Sequence, residues 1–166
     1  MFAEQYLHNT EQERSAPQNS FYLGYYVHLL TDVEWSKLHQ IKKKEPSYTK
    51  ILGTPEYGAT IKRDWYGVDF VYLNEHIDNI FTKEFRHIHD FPDYLDIFPK
   101  DQISIQINRI TEFYSGSSSV FVLDPAYHFE YFTPEEADHF VEDATRKIIQ
   151  DLNLVFGEAV LWKDIV

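Results

Sequence analysis

The feature that most constrains this chain lies near its C-terminal end. Thr133-Pro134-Glu135-Glu136 joins a threonine at a capping position to a glutamate three residues on, with proline at the first helical position. Phe140, Ala144, Ile148 and Leu152 then follow at four-residue steps. An apolar stripe with that period has one stable solution, a helix over about 133–153 whose stripe faces a core. The same rule applied upstream predicts more helices. A long central one starts at Asn19 or Ser20 after the loop Ser15–Gln18 and runs to about Lys44, where Pro46 closes it. Others follow over 60–75, 77–90 and from Pro99 through Ile103, Ile107 and Ile110. Residues 45–60 read as a loop, and 120–123 as a short strand or extended chain. The expected fold class is all-α, a single-domain antiparallel helical bundle over 1–166, with 1–18 as a short N-terminal segment and 19–44 as the central helix.

Charge and composition narrow the function classes. There are no cysteines, which excludes disulfides and thiolate metal sites and fits a reducing compartment. No signal-peptide pattern opens the sequence, and no apolar run is long enough to span a membrane, so a cytoplasmic location is expected. Acidic residues outnumber basic ones 27 to 15, a net charge of −12 that would repel nucleic acid. The densest basic patch, Lys37, Lys42, Lys43, Lys44 and Lys50, falls mostly at a helix end, where cations offset the macrodipole, and reads as a solvated face. With 13 Phe and 12 Tyr, the chain has rings enough for a bulky core, and for a half-wet groove as well.

The chemically telling pair is His28 and Asp32. Four residues apart on the central helix, they project the same way as Phe21, Gly24, Tyr25, Leu29 and Trp35, which this reading takes as the inward face. A buried carboxylate needs a partner or a cation. Two structures meet that need: a hydrogen-bonded structural pair, or a metal held by imidazole nitrogen and carboxylate oxygen. Asp69, grouped with Ile61, Trp65, Val68 and Tyr72, is the candidate third ligand if its helix packs on the central one. Its structural alternative is a bond to a tyrosine hydroxyl or the capping of a neighbouring helix. Asp64 projects to another side and is expected to be exposed.

Other arrangements carry less. His139 and Asp143 sit on a solvated helix start. Phe91-Pro92 stops the helix after His89-Asp90, which favours a loop there. His76 and Asp78 lie at a helix junction and read as a cap, while His128 sits among aromatics in a loop. There is no nucleophile elbow and no phosphate-binding glycine loop.

The run Phe21-Tyr22-Leu23-Gly24-Tyr25-Tyr26-Val27-His28-Leu29-Leu30-Thr31-Asp32, with Trp35 beyond, resembles the central helix of bacterial zinc-dependent phospholipase C-like proteins; Lys62–Phe70 resembles short members of that group. The resemblance implies the phospholipase C/P1 nuclease all-α fold. It also implies hydrolysis of a phosphoester or phospholipid-like small molecule, with zinc held by His28 and Asp32. Family members carry further histidine and aspartate ligands upstream, where this chain has about 18 residues and only His8. No His-x-x-x-Glu occurs downstream. The expected function is therefore a metal-dependent phosphoesterase-like domain, incomplete and inactive or very weak. The alternative is a non-catalytic, aromatic-rich helical module that binds a protein partner or small ligand.

Overall fold

The computed structural model describes residues 2–8, 14–116, 124 and 126–157. It is all-α: 70% of the described residues are helical, and no strand occurs among them. The helices are α1 (Phe2–Tyr6), α2 (Ala16–Lys42), α3 (Pro46–Ile51), α4 (Tyr57–Glu75), α5 (Ile80–Lys83), α6 (Gln102–Tyr114) and α7 (Pro134–Phe156), with a 3₁₀ turn at Phe85–His87. No helix among the described residues is long and apolar enough to cross a membrane. The chain divides into two compact units, Met1–Pro46 with Glu135–Val166, and Ser47–Pro134. The expected extended stretch at 120–123 lies outside the described residues.

The first unit is organised by α7 against α2. Ala144, Ile148 and Leu152 are buried together, and Phe140 packs on the same cluster, as their four-residue spacing predicts. Their partners on α2 are Leu23, Tyr26, Val27 and Leu30. That stripe lies roughly half a turn around the helix from the inward face expected from the sequence. Residues 21–30 are apolar on nearly every side, so both stripes satisfy the helical period. Two ion pairs anchor the observed rotation. Glu34 is buried and accepts from Lys147 Nζ at 2.9 Å and Lys37 Nζ at 2.5 Å. Lys42, expected on a solvated face, is instead buried, with Glu136 at 2.6 Å and Glu45 at 2.8 Å.

α2 also starts a turn earlier than expected. The Ser15 hydroxyl accepts from the Gln18 amide at 3.4 Å, and Pro17 fits the first turn with its fixed φ. The short α1 lays Phe2 against Tyr25 and Tyr26, with ring centroids 5.3 and 6.2 Å apart.

In the second unit, Tyr48, Ile61 and Tyr131 form the core, with Ile51, Tyr57 and Trp65 packed around them. Tyr48 donates its hydroxyl to the Tyr131 carbonyl at 3.0 Å. The helix expected over 77–90 is a single α-turn followed by the 3₁₀ turn. Asn79 caps it, accepting from the Thr82 amide at 3.0 Å. The Thr82 hydroxyl bonds the carbonyls of Ile77 and Asn79, a local arrangement that competes with helix extension. α6 begins after Asp101, in the left-handed region at φ 61°, so Pro99 precedes the helix instead of opening it.

Candidate functional site

His28 and Asp32 come together on the outer face of α2, His28 Nε2 lying 3.4 Å from Asp32 Oδ2. Their side chains are 62% and 61% exposed. The expected burial of this pair is overturned, because α2 turns Leu23, Tyr26, Val27 and Leu30 to the core and leaves His28 and Asp32 in solvent, although Trp35 of the expected inward face does pack on Phe140, ring centroids 5.1 Å apart. The burial cost that made a partner or cation necessary therefore does not arise. An exposed i,i+4 pair contributes only a few tenths of a kcal/mol.

Asp69 belongs to the second unit and is exposed, not buried with Val68; Tyr72, expected beside it, is exposed as well. Its Oδ2 accepts the Tyr114 hydroxyl at 2.6 Å, the first of its two structural alternatives. Loss of hydration near the rings clustered on Tyr114 raises the Asp69 carboxyl pKa, and the hydroxyl bond only partly offsets this. Burial, then the adjacent carboxylate, push the Tyr114 phenol well above its ordinary value. Among the described residues no group of three or more His, Asp or Glu side chains is placed to hold a metal ion.

The carboxylate that sequence reasoning missed is Asp64. Expected at the surface, it is 1% exposed on the inner side of α4. Its Oδ2 accepts three successive backbone amides, Glu130 at 3.0 Å, Tyr131 at 2.5 Å and Phe132 at 3.0 Å. Its other oxygen takes the Tyr127 hydroxyl, and Arg63 lies over the Tyr127 ring, 5.1 Å from its centroid. The carboxylate thus clasps residues 127–132 to α4. With four donors on a side chain 1% exposed, it serves as an acceptor for the protein's own backbone and Tyr127.

Burial and the Asp64 charge push the Tyr127 phenol up to about 12. A raised folded-state value means that the neutral phenol stabilises the fold. That contribution is complete below about pH 10, the unfolded value, and is lost as pH rises through about 12. A spectrophotometric tyrosine titration should therefore show late-ionising phenols whose appearance coincides with alkaline unfolding, and Tyr127→Phe should remove one of them. Ionisation of all 12 tyrosines in a single step near pH 10, with the helices intact, would contradict this.

The buried polar side chains among the described residues are Glu34, Lys42, Asp64 and Asn79, and each is committed to a structural bond. The Lys37 and Lys147 ammoniums hold the Glu34 carboxyl below its usual range. Burial alone would lower the Lys42 pKa, but Glu136 and Glu45 outweigh it and the net direction is up. His139 is exposed and Asp143 pairs with Arg146 at 2.9 Å, which makes that stretch a solvated helix start. His128 and His89 lie exposed in irregular chain, as the loop readings require. In comparison with known proteins, no family model matches the chain, and neither a curated protein nor a solved structure matches it.

Proposed function

We propose that this chain is a non-catalytic helical interaction module whose recognition surface is the outer face of α2. The observation that carries the reading is the division of its ionisable groups. Those in the interior hold the fold together, as Asp64, Glu34 and Lys42 do, while His28 and Asp32 stand in open solvent. Acid–base or metal-assisted hydrolysis needs a group whose reactivity is set by a dry, preorganised site. Beside Asp32 on α2 stands instead an exposed apolar side chain, Val33 at 51%, a mixture suited to docking a protein surface.

The phosphoesterase reading keeps one supporting observation: His28 Nε2 and Asp32 Oδ2 are close enough to share a single zinc ion. One experiment separates the two. The purified chain is titrated with zinc by calorimetry and assayed with zinc on a chromogenic phosphodiester and a short-chain phospholipid. The module reading expects no turnover above background, weak zinc uptake at most, and unfolding free energies for His28→Ala and Asp32→Asn within about 0.5 kcal/mol of the parent. Zinc-dependent turnover that disappears in His28→Ala would overturn it.

A further inference from the structure

On the outer side of α2 a shallow groove is lined by Leu29, Asp32, Val33, Ser36, Lys37 and Gln40. All but Leu29 are exposed, and Leu29 is half-buried. Leu29, Val33, Ser36 and Gln40 follow one another at steps of four, three and four residues, the alternation of seam positions in a two-stranded coiled coil. Asp32 and Lys37 flank that seam on opposite sides, and both are more than half exposed.

From this pattern we infer that the outer face of α2 pairs with the same face of a second copy of this chain, the two helices running parallel about a two-fold axis. The inference rests on the reading of this face as a recognition surface and names its partner. The argument is charge complementarity. In a parallel pair, flanking residues on opposite sides of the seam meet across the interface at a separation of five residues, the separation of Asp32 from Lys37. Two-fold symmetry makes the contact twice, Asp32 of each copy beside Lys37 of the other. An antiparallel pair brings together flanks on the same side of the seam, so Asp32 and Lys37 could not meet, and the charges select the parallel arrangement.

Along the seam, Leu29 and Val33 supply apolar contact, Ser36 lets the helices approach, and the two Gln40 amides can bond each other. Lys37 also holds Glu34 at 2.5 Å, and Asp32 pairs with His28. An ammonium has three donors and a carboxylate about four acceptor sites, so both can keep these partners and gain the new one. The seam spans 12 residues, roughly 18 Å of helix, which is short for a specific interface. A net charge of −12 on each copy also opposes association, so the dimer is a concentration-dependent one.

Sedimentation equilibrium of the full chain between about 10 µM and about 1 mM reads the association directly. A monomer–dimer equilibrium within that range is expected. Asp32→Lys should weaken it about tenfold or more by placing lysine against lysine, and Asp32→Lys combined with Lys37→Asp should recover most of the loss. Because the chain has no cysteine, Ser36→Cys gives a second and independent reading. A parallel seam brings the two introduced thiols together, so mild oxidation should yield a disulfide-linked dimer much faster than in Gln106→Cys, an exposed control on α6. A monomer throughout the range overturns the inference, as does an unrescued charge reversal in a folded double variant or equal cross-linking of the two cysteine variants. If Lys37→Asp prevents folding, the cysteine comparison decides alone. A monomer without zinc-dependent hydrolysis would sink this pairing while leaving the interaction-module reading standing.

Discussion

Asp64→Ala is expected to destabilise the chain by about 4 kcal/mol, more than any other carboxylate replacement among the described residues. The change leaves the amides of Glu130, Tyr131 and Phe132 and the Tyr127 hydroxyl without their shared acceptor. Each buried donor left unpaired costs roughly 1–3 kcal/mol, and partial relaxation or water entry recovers some of the total. Against a typical stability of about 5–15 kcal/mol, that should lower the thermal midpoint by about 10 °C. Asp64→Asn should cost less, about 2 kcal/mol, because one oxygen remains while the amide nitrogen turns a donor toward donors. Tyr127→Phe, which removes one bond and leaves the carboxylate its three amides, should cost about 1 kcal/mol. Thermal melts followed by circular dichroism should rank the three in that order. A melt of Asp64→Ala within 1 kcal/mol of the parent would show that the clasp holds nothing.

The position of Asp64 explains why it was not legible in the sequence. Helical periodicity sets Asp64 three residues after Ile61 and four before Val68, at the edge of their face, but it does not say whether a carboxylate there turns inward or out. What buries it is a segment 63 to 68 residues further along, whose successive amides converge on one oxygen. No local pattern in Tyr127–Phe132 announces three donors in need of an acceptor. The nearest signal is the presence of Asp64 on a helix whose other inward residues, Ile61 and Val68, are apolar, since a carboxylate beside such a stripe is buried only with several bonds. α2 failed for a different reason. Phe21-Tyr22-Leu23-Gly24-Tyr25-Tyr26-Val27 offers an apolar residue in almost every direction, so two opposed stripes fit equally well. The residues that fix the choice, Glu34 and Lys42, are charged, and their inward direction becomes readable only once Lys147 and Glu136 on α7 are placed opposite them.

α7 was legible because its polar and apolar residues separate cleanly around the helix, and Leu152 carries the second large expected effect. It is 3% exposed and packs with Ala144 and Ile148 against the core stripe of α2. Leu152→Ala should cost about 3 kcal/mol, the lost transfer of the removed methyl groups plus the cavity left between two helices that cannot fully close on it. Leu154, two residues further on the same helix, is 84% exposed, and Leu154→Ala should change stability by no more than about 0.5 kcal/mol. The same comparison on α2 tests its rotation. Leu30→Ala should cost about 2 kcal/mol because Leu30 packs on the α7 cluster, and Asp32→Ala should be nearly neutral because its side chain is in solvent. Urea unfolding of the four variants measures both contrasts at once. A neutral Leu30→Ala together with a costly Asp32→Ala would turn α2 half a revolution about its axis and return His28 and Asp32 to the interior, where they would need either a hydrogen-bonded partner or a cation.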